Sequence, residues 1–375
     1  AAGLHVGETP KPHLVTYRER LQLAGEPVDP ETFARLVEQV LALADGVAKR
    51  HGEPTEFELL TAVVFAWFAE RRPDVALVEV GLGGRLDATH AWDGGVAAIT
   101  NVALDHTDRL GSTISAIARE KAAIIERGDL AVTGADGEAL PVIRRRARRV
   151  GAPLTVAQPA PLLGWDRDGI DVDLDRLGPT RIGLRGRHQA ANVSVADALL
   201  DALEAAGIAA AGDDARRRGY ASAVWPGRLE LLERDGHEVL LDGAHNPAGA
   251  QALAVALDDL RPYLAAGRIT LLTAMMADKD VDGIVSALAS AATLGDSRVI
   301  TTRVDLSRAM DADVLADRWR AIGPSVTVVV DADVSAALDR ALREAEGPIV
   351  VAGSLYLVGA VRARLVDDPA LRDPR

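Results

Sequence analysis

Three residues near the start of the chain have the chemistry to bind a divalent metal ion. Glu79 lies at the end of the apolar run VALVEV, His106 follows the run VAAITNV, and Lys121 lies in the helix-like stretch STISAIAREKAAIIE. The carboxyl ends of parallel strands lie at one edge of a sheet, so Glu79 and His106 are expected to lie together, with Lys121 on the helix that follows. A carboxylate and a neutral imidazole suit a hard or borderline cation. Taken singly, Glu79 is explained equally well as a solvated strand-end residue, and His106 and Lys121 are better explained as ordinary surface residues.

Lys121 can join such a site only after a chemical change. An ammonium group has no lone pair to give to a metal. An unprotonated lysine that reacts with carbon dioxide becomes a carbamate, whose oxygens can bind a cation, and this requires a pKa lowered by burial or by nearby positive charge. The alternative is a lysine whose stem packs on apolar surface while its ammonium reaches water.

Four residues in the second half of the chain lie at helix starts, strand ends or turns that can form a ligand site. Asn192 lies in the turn RGRHQAAN, which opens a helix, and helix starts bind anions. Arg228, in WPGRLE, offers bidentate hydrogen bonds to a phosphate. Asp242 ends the apolar run EVLLD, and His245 lies just before the helix that Pro247 begins. Helix capping by Asn192 and a surface hinge role for Arg228 are the alternatives.

The elements that position these residues alternate between strand and helix. Near-continuous apolar runs followed by helical patterns predict parallel sheets covered by helices. The runs are 75–80, 96–102, 238–246, 268–275, 297–302, 325–332 and 348–354. We therefore predict an α/β protein of two doubly wound domains, with a smaller, Rossmann-like C-terminal domain. Pro226 and Gly227 interrupt the pattern, so the predicted domains are residues 1–226 and 227–375.

Other parts of the chain depart from this rhythm. Residues 135–185 contain scattered proline, glycine and aspartate, which predict a short, largely antiparallel excursion before a helix at 189–206. The first residues, AAGLHVG, have the pattern of a helix end that runs into a strand. The 375 residues contain no G-x-x-x-x-G-K-[ST] phosphate loop. We therefore expect the chain to be an N-terminally truncated piece of a longer protein.

Composition excludes several classes of protein. The chain has 375 residues, of which 48% are hydrophobic and 26% charged, as is usual for globular proteins of two domains. It has no cysteine, which excludes disulfides, a cysteine nucleophile and thiolate zinc sites. The net charge of -13 argues against a nucleic-acid partner. Neither a membrane span nor a signal peptide is predicted, so a cytoplasmic protein is expected.

Motifs distributed over the whole chain resemble those of the folylpolyglutamate synthase/dihydrofolate synthase family, within the Mur ligase superfamily. They are PHLVTYRERLQLAGEPV (12–28), EVGLGGRLDAT (79–89), ALDHTDRLG (103–111), REKAAI (119–124), HQAAN (188–192), WPGRLE (225–230), LDGAHNP (241–247), MADKD (276–280) and AGSLYLVG (352–359). The resemblance implies a Mur-ligase-like ATPase domain, truncated at its start, and a C-terminal glutamate ligase domain. It also implies ATP-dependent ligation of L-glutamate to a folate or dihydropteroate carboxylate through an acyl phosphate.

The resemblance also implies roles for individual residues. The Mg²⁺ ligands would be Glu79, His106 and a carbamylated Lys121. The ATP contacts would be Asn192, Arg228 and Asp242. The catalytic residues would be Lys121, His106 and His245, the last lying close to ATP. The pocket for the pterin-bearing acceptor would be lined by Phe57, Glu58, Leu86, Asp87 and Ala88. The expected partners are ATP, L-glutamate and dihydropteroate or tetrahydrofolate, bound by a monomer.

The chain departs from the family pattern in three respects. The phosphate loop is absent, Lys11 replaces a serine that contacts magnesium, and Leu59 replaces an aromatic residue after Phe-Glu. The missing loop predicts little or no ligase activity for these 375 residues alone. Two alternatives stay open: a noncatalytic module that binds folate or nucleotide, and another Mur-type ligase with a different acceptor. The sequence does not rank dihydropteroate against tetrahydrofolate.

Overall fold

The computed structural model describes residues 1–322 and 326–373, which form two compact units. The first unit consists of residues 1–159, 194–216 and the chain from 368 onward, and the second of residues 160–193 and 217–367. The predicted domain boundary after residue 226 stays a prediction. The two compact units are defined by which residues lie close in space, and this does not test where the sequence domains divide. Ser325, the first residue of the predicted strand at 325–332, lies outside the described residues.

Two sheets form the centre of the first unit. One sheet has the strands β1 (Val6–Thr9), β2 (Gln22–Leu23), β3 (Glu26–Pro27) and β4 (Val75–Val78). The other has the strands β5 (Val96–Ile99), β6 (Leu130–Thr133) and β7 (Leu154–Val156). Their orders are β3-β2-β1-β4 and β5-β6-β7. The pairs β1–β4, β5–β6 and β6–β7 are parallel, so their carboxyl ends share an edge within each sheet.

Helices cover these sheets with separate apolar clusters. The helices are α1 (Pro30–His51), α2 (Glu56–Arg71), α3 (Thr107–Leu110), α4 (Ile114–Ala122) and α5 (Ala139–Val150). Two further helices, α6 (Gln189–Ala205) and α7 (Asp213–Ala221), have residues in both units. Trp67 and Phe68 of α2 pack in one buried cluster with Leu36 of α1. Ile125, which follows α4, packs in a second cluster with Ile143 of α5. The second cluster fixes α4, the helix that carries Lys121.

The second unit contains an antiparallel sheet and a larger, mostly parallel one. The antiparallel strands are β8 (Leu162–Asp166), β9 (Gly169–Leu174) and β10 (Gly178–Ile182). The larger sheet has β11 (Glu230–Arg234), β12 (His237–Leu241), β13 (Thr270–Thr273), β14 (Arg298–Arg303), β15 (Thr327–Asp333) and β16 (Ile349–Ala352). Its order is β11-β12-β16-β13-β14-β15, with only the β11–β12 pair antiparallel among the described strands.

A helix follows each parallel strand of the larger sheet. These helices are α8 (Pro247–Leu260), α9 (Val281–Ala289), α10 (Ala312–Ile322), α11 (Val334–Glu344) and α12 (Leu355–Leu365). Leu240, Leu271 and Val350 are fully buried in the strands, and Trp319 of α10 joins the same cluster. The predicted α/β class with parallel sheets is confirmed.

Two local predictions are wrong. Within residues 135–185, α5 is a helix and β7 pairs in parallel with β6, so only β8–β10 form the expected antiparallel excursion. The expected helix end at the start of the chain is absent, since residues 1–5 are not helical and β1 begins at Val6. Although α5 is rich in arginine, four of its residues form a buried apolar stripe, namely Ala139, Val142, Ile143 and Ala147.

Among residues 1–322 and 326–373, no helix is long and apolar enough to cross a membrane.

Candidate functional site

Glu79 follows β4 directly and so lies at the carboxyl end of a parallel strand. Its carboxylate oxygen Oε2 accepts a hydrogen bond of 2.6 Å from the backbone N–H of Lys11. The ammonium of Lys11 donates to the carbonyl oxygen of Glu79. Lys11 comes two residues after β1, the strand that pairs with β4. Glu79 therefore lies at the predicted sheet edge, with a lysine held against it.

His106 follows β5 in an unusual backbone conformation. Its φ of 49° lies in the left-handed region, which a residue with a side chain rarely adopts. Oδ1 of Asp105 accepts a hydrogen bond of 2.8 Å from the backbone N–H of His106. The imidazole is 41% exposed, and its Nε2 is 3.8 Å from that same oxygen. Such conformations persist where the surroundings enforce them, often at functional sites.

Lys121 is partly buried on α4, and its charge is coupled to two carboxylates. Burial lowers the pKa of Lys121, while nearby Asp105 and Glu79 raise it. The structure therefore brings Glu79, Lys121 and Asp105 into one charged group, although Glu79 and Lys121 are far apart in sequence. A lowered pKa increases the fraction of neutral amine, which is the form that reacts with carbon dioxide.

The glycine-rich loop after β4 is attached to the helix that carries Lys121. The backbone N–H of Arg85 donates to the carbonyl of Glu120 at 3.1 Å, and its guanidinium pairs with the Glu120 carboxylate at 3.0 Å. Gly84 has a φ of 155°, and a Cβ there would lie 3.0 Å from the Glu120 carbonyl oxygen. A larger residue at this position would therefore push α4 away from the loop.

The donors at this edge suit an open cation site but not a closed one. In the described parts of the chain, no three histidine, cysteine, aspartate or glutamate side chains are arranged to hold a metal ion. A structural zinc site needs four protein ligands, which this arrangement lacks. Magnesium keeps several waters and is held by one or two carboxylates together with substrate phosphates. Glu79 and His106 are donors of this kind. They do not share the single sheet edge that was predicted, because β4 and β5, the strands they follow, belong to different sheets.

Asp87 organises its own loop. Its Oδ2 accepts hydrogen bonds from the backbone N–H groups of Gly81 and Leu82, at 3.1 and 2.9 Å. Its Oδ1 accepts from the backbone N–H and the hydroxyl of Thr89, at 3.0 and 2.6 Å. Four donors from one loop therefore converge on this carboxylate. Asp87 also caps the short 3-10 helix Ala88–Ala91, which begins with the predicted pocket residue Ala88.

The other predicted pocket residues have different surroundings. Glu58 is exposed and closes a capping box with Thr55 at the start of α2, and hydrogen bonds from Thr55 lower the pKa of Glu58. The ring of Phe57 lies against Gly81, where a Cβ would come within 2.5 Å of it. Leu86 is 80% exposed. Phe57 and Leu86 thus offer apolar surface, whereas Glu58 and Asp87 have structural partners.

In the second unit, Asp242 follows β12 and is buried. Its Oδ2 accepts a hydrogen bond of 3.0 Å from the backbone N–H of Leu229, and its Oδ1 one of 2.9 Å from that of Ala244. Burial raises the pKa of Asp242, while Arg228 and these two N–H groups lower it. Asp242 therefore ties the turn that carries Arg228 to the start of the strand-to-helix loop.

That turn is fixed by an unusual set of contacts. Leu229 is buried, with a left-handed φ of 46°. Its neighbour Glu230 accepts a hydrogen bond of 2.8 Å from the backbone N–H of Gly227 and pairs with Arg362 of α12 at 3.0 Å. The side chains of Arg362 and Glu230 are 11% and 10% exposed. Both flanks of Arg228 are thus anchored, which restricts where its guanidinium can lie.

A cavity of about 160 Å³ adjoins this turn. Its lining includes the predicted residues Arg228, Asp242 and His245. Nδ1 of His245 donates to the carbonyl of Gly243 at 2.8 Å. Asn246 also lines the cavity, and its side chain caps α8 by accepting a hydrogen bond of 2.8 Å from Gly249. The structure therefore brings together three of the four candidate residues from the second half of the chain, Arg228, Asp242 and His245.

The fourth, Asn192, is exposed in the first turn of α6 and does not line this cavity. Its amide donates to Gln189 Oε1 at 2.8 Å, and the Gln189 amide lies 3.3 Å from Nε2 of His188. His188 itself lines the cavity, and burial, together with Arg228, lowers the pKa of its imidazole. Sequence analysis singled out the HQAAN turn but missed His188 as the residue that reaches the cavity.

A larger open groove of about 630 Å³ lies elsewhere in the second unit. Its guanidinium groups are already engaged, since Arg261 donates to the carbonyls of Ala265 and Gly267 and Arg268 to that of Asp296. None of the predicted site residues lines it. We therefore place the candidate site at the smaller cavity and at the strand edge of the first unit.

Comparison with known proteins gives matches along almost the whole chain. The family model for the glutamate ligase domain of Mur ligases matches residues 227–355. The dihydrofolate synthase/folylpolyglutamate synthase of Bacillus subtilis is 32% identical over 374 residues, which cover 97% of this chain and 85% of that protein. A probable bifunctional folylpolyglutamate synthase/dihydropteroate synthase of Halobacterium salinarum is 36% identical over 97% of this chain. This chain spans only 44% of the length of the Halobacterium protein.

Solved structures show the same similarity. The folylpolyglutamate synthase of Mycobacterium tuberculosis, complexed with ADP and AMPPCP, has a TM-score of 0.85 and 32% identity, covering 98% of this chain and 86% of that chain. The bifunctional folylpolyglutamate synthase/dihydrofolate synthase of Yersinia pestis, complexed with AMPPNP and a Mn ion, has a TM-score of 0.80 and 29% identity. That match covers 97% of this chain and 83% of the other.

Proposed function

Because the chain belongs to the folylpolyglutamate synthase/dihydrofolate synthase family, we propose that it carries out an ATP-dependent ligation of L-glutamate to a folate or dihydropteroate carboxylate. The observation that carries this proposal is the match to the Mycobacterium tuberculosis enzyme complexed with ADP and AMPPCP, which covers 98% of the chain and so includes both groups of candidate residues. The proposal includes a monomeric enzyme in the cytoplasm.

The proposed reaction has two steps. A carboxylate oxygen of the acceptor attacks the γ-phosphorus of ATP, which forms an acyl phosphate and releases ADP. The amino nitrogen of glutamate then attacks the acyl carbon, loses a proton and expels phosphate, leaving an amide. Positioning and charge stabilisation supply most of the rate enhancement in phosphoryl transfer. When bound, Mg²⁺ would neutralise charge on the phosphate oxygens.

The first unit supplies the proposed metal ligands. We assign these roles to Glu79, His106 and a carbamylated Lys121. The grouping of Glu79 with Lys121, whose pKa is lowered by burial, supports this assignment. The carbamate would convert the lysine from a cation, which repels Mg²⁺, into an anionic oxygen donor. Lys121 and His106, together with His245 of the second unit, are the proposed catalytic residues.

The second unit supplies proposed ATP contacts from Arg228, Asp242 and Asn192. The anchored turn at Arg228 and the small cavity beside it support the first two. Asn192 would act from the first turn of α6, near His188, through Gln189. For the acceptor, we propose apolar contacts from Phe57, Leu86 and Ala88, with Glu58 and Asp87 holding the helix start and the loop that present them.

The proposed function is tested by comparing this chain with the protein encoded by the complete reading frame that contains it. Because these 375 residues hold no phosphate loop, we expect their rate of ADP release with ATP, glutamate and dihydropteroate to be at least about a hundredfold below that of a protein containing one. Mass spectrometry should show one glutamate added to the acceptor. Binding of nucleotide or acceptor by both proteins, with neither ADP release nor a glutamylated product, would favour the noncatalytic module. A product that contains another amino acid would favour a different Mur-type ligase.

The Arg362–Glu230 pair gives a test of how Arg228 is held. Replacing Arg362 with methionine removes the cation that fixes Glu230, so the turn 227–229 should loosen and ADP affinity should fall by about three- to tenfold. Arg364 provides a matched control, because it lies on the same helix and pairs with Asp339 at an exposed position. Calorimetric titration with ADP is the measurement. Equal ADP affinities in Arg362→Met and Arg364→Met would contradict this positioning role.

A further inference from the structure

Lys11 is a charged side chain beside Glu79 that the proposed mechanism does not use. Its ammonium donates to the Glu79 carbonyl and lies 4.9 Å from the centre of the Phe57 ring. Its backbone N–H is bonded to the Glu79 carboxylate at 2.6 Å. An ammonium carries three donors, and one of them serves the carbonyl. Lys11 is thus held in place from both its backbone and its side chain.

Both acidic and basic groups act on Lys11. Burial lowers the pKa of Lys11 to about 8, while Asp87 and Glu79 raise it and Arg20 lowers it. Four hydrogen-bond donors from the loop that contains Asp87 converge on the Asp87 carboxylate. The backbone N–H of Lys11 donates a hydrogen bond to Glu79 Oε2. The hydrogen bond of the Lys11 ammonium goes to the carbonyl oxygen of Glu79 and not to a carboxylate oxygen.

The position of Lys11 over Phe57 indicates which anion suits it. The ring of Phe57 lies against the glycine-rich loop at Gly81, and the cation lies over that ring. A fixed cation beside an aromatic surface complements a flat aromatic acid, whose ring can contact the apolar wall while its carboxylate meets the ammonium. A nucleotide phosphate would interact with the Lys11 ammonium but would make no contact of this kind with the Phe57 ring.

We propose that Lys11 binds the reacting carboxylate of an arylcarboxylate acceptor, and that Phe57 contacts the adjoining aromatic group. This rests on the proposed function and names a further binding residue for it. The ammonium would orient the carboxylate and offset its charge while its oxygen attacks phosphorus. In this role Lys11 binds and orients the carboxylate and transfers no proton.

The test pairs a change in Lys11 with a change in the ligand. The affinities to be measured are those of pteroate and of the same pterin–aniline skeleton without its carboxylate, using the protein from the complete reading frame. Lys11→Met should weaken pteroate binding by about tenfold or more, and should change binding of the decarboxylated compound by less than about twofold. Lys11→Arg should restore most of the pteroate affinity. Lys49→Met is the matched control, because Lys49 is exposed in the last turn of α1.

Each other outcome would overturn the proposal in a recognisable way. Equal weakening of both ligands would make Lys11 a structural residue, and weakening of ADP alone would make it a phosphate contact. Failure of the unmodified protein to bind pteroate would refute the acceptor class, and with it the proposed function. If Lys11→Met does not fold, as judged by its melting curve, the same comparison is decided with Lys11→Gln.

Discussion

Replacing Lys121 with alanine is expected to abolish turnover in the protein from the complete reading frame. If Lys121 is a carbamate, the substitution removes an anionic metal ligand and leaves Glu79 and His106 as the protein donors. Loss of one group that stabilises the transition state commonly costs about a hundredfold or more in rate. The measurement is the initial rate of ADP release that depends on both glutamate and acceptor.

Small acids provide the specific control for Lys121→Ala. Formate or acetate can enter the vacated space and replace the carbamate oxygens, so added formate should restore part of the lost rate. Lys49→Ala makes the same chemical change at an exposed position of α1 and should have near-normal turnover with or without formate. A structural lysine predicts something else, a modest fall in melting temperature with catalysis nearly intact. Near-normal turnover of Lys121→Ala would therefore refute the ligand role.

Replacing Asp242 with alanine should weaken nucleotide binding far more than acceptor binding. The substitution leaves two buried N–H groups, of Leu229 and Ala244, without their acceptor, and removes the carboxylate beside Arg228. A buried N–H group that loses its acceptor destabilises the local structure, here the turn that carries Arg228, by about 1–3 kcal/mol. We therefore expect ADP affinity to fall by about ten- to a hundredfold. Dissociation constants for ADP and for pteroate, measured on the same protein, test this expectation.

Because Asp242 is buried, its loss will also lower stability, and Asp242→Asn separates the two effects. Asparagine keeps one carbonyl acceptor for the turn but removes the negative charge. If the anchored turn matters most, Asp242→Asn should bind ADP better than Asp242→Ala. Equal weakening of ADP and pteroate by Asp242→Ala would contradict the assignment of this residue to the nucleotide.

Much of the fold follows from the sequence because buried parallel strands leave a strong signal. The apolar runs at 75–80, 238–246 and 348–354 each overlap a strand of the structure, namely β4, β12 and β16. The helix α5 was missed because five arginines among its residues outweigh the buried stripe when composition alone is considered. Local sequence patterns also do not predict the strand order of the larger sheet, in which β16 lies between β12 and β13.

The site was predictable to the extent that it depends on strand ends. Glu79 and Asp242 both follow parallel strands. The position of Lys121 in an apolar helix suggested charged neighbours, and in the structure Asp105 and Glu79 act on it. The pairing of Glu230 with Arg362 and the contact of Lys11 with Glu79 join residues far apart in the chain. Such pairs depend on tertiary packing, so no local pattern reveals them.

The four hydrogen bonds that converge on Asp87 have a consequence for how this family diversifies. A carboxylate that accepts four hydrogen bonds from its own loop holds the shape of that loop, whatever molecule the loop faces. Identity at this position among relatives would then report a common backbone rather than a common substrate. The side chain of the neighbouring Leu86 is exposed and is not buried in the loop, so we expect substitutions there to leave the loop folded. Divergence in acceptor preference is therefore expected at Leu86, one residue away from the aspartate that makes the motif recognisable.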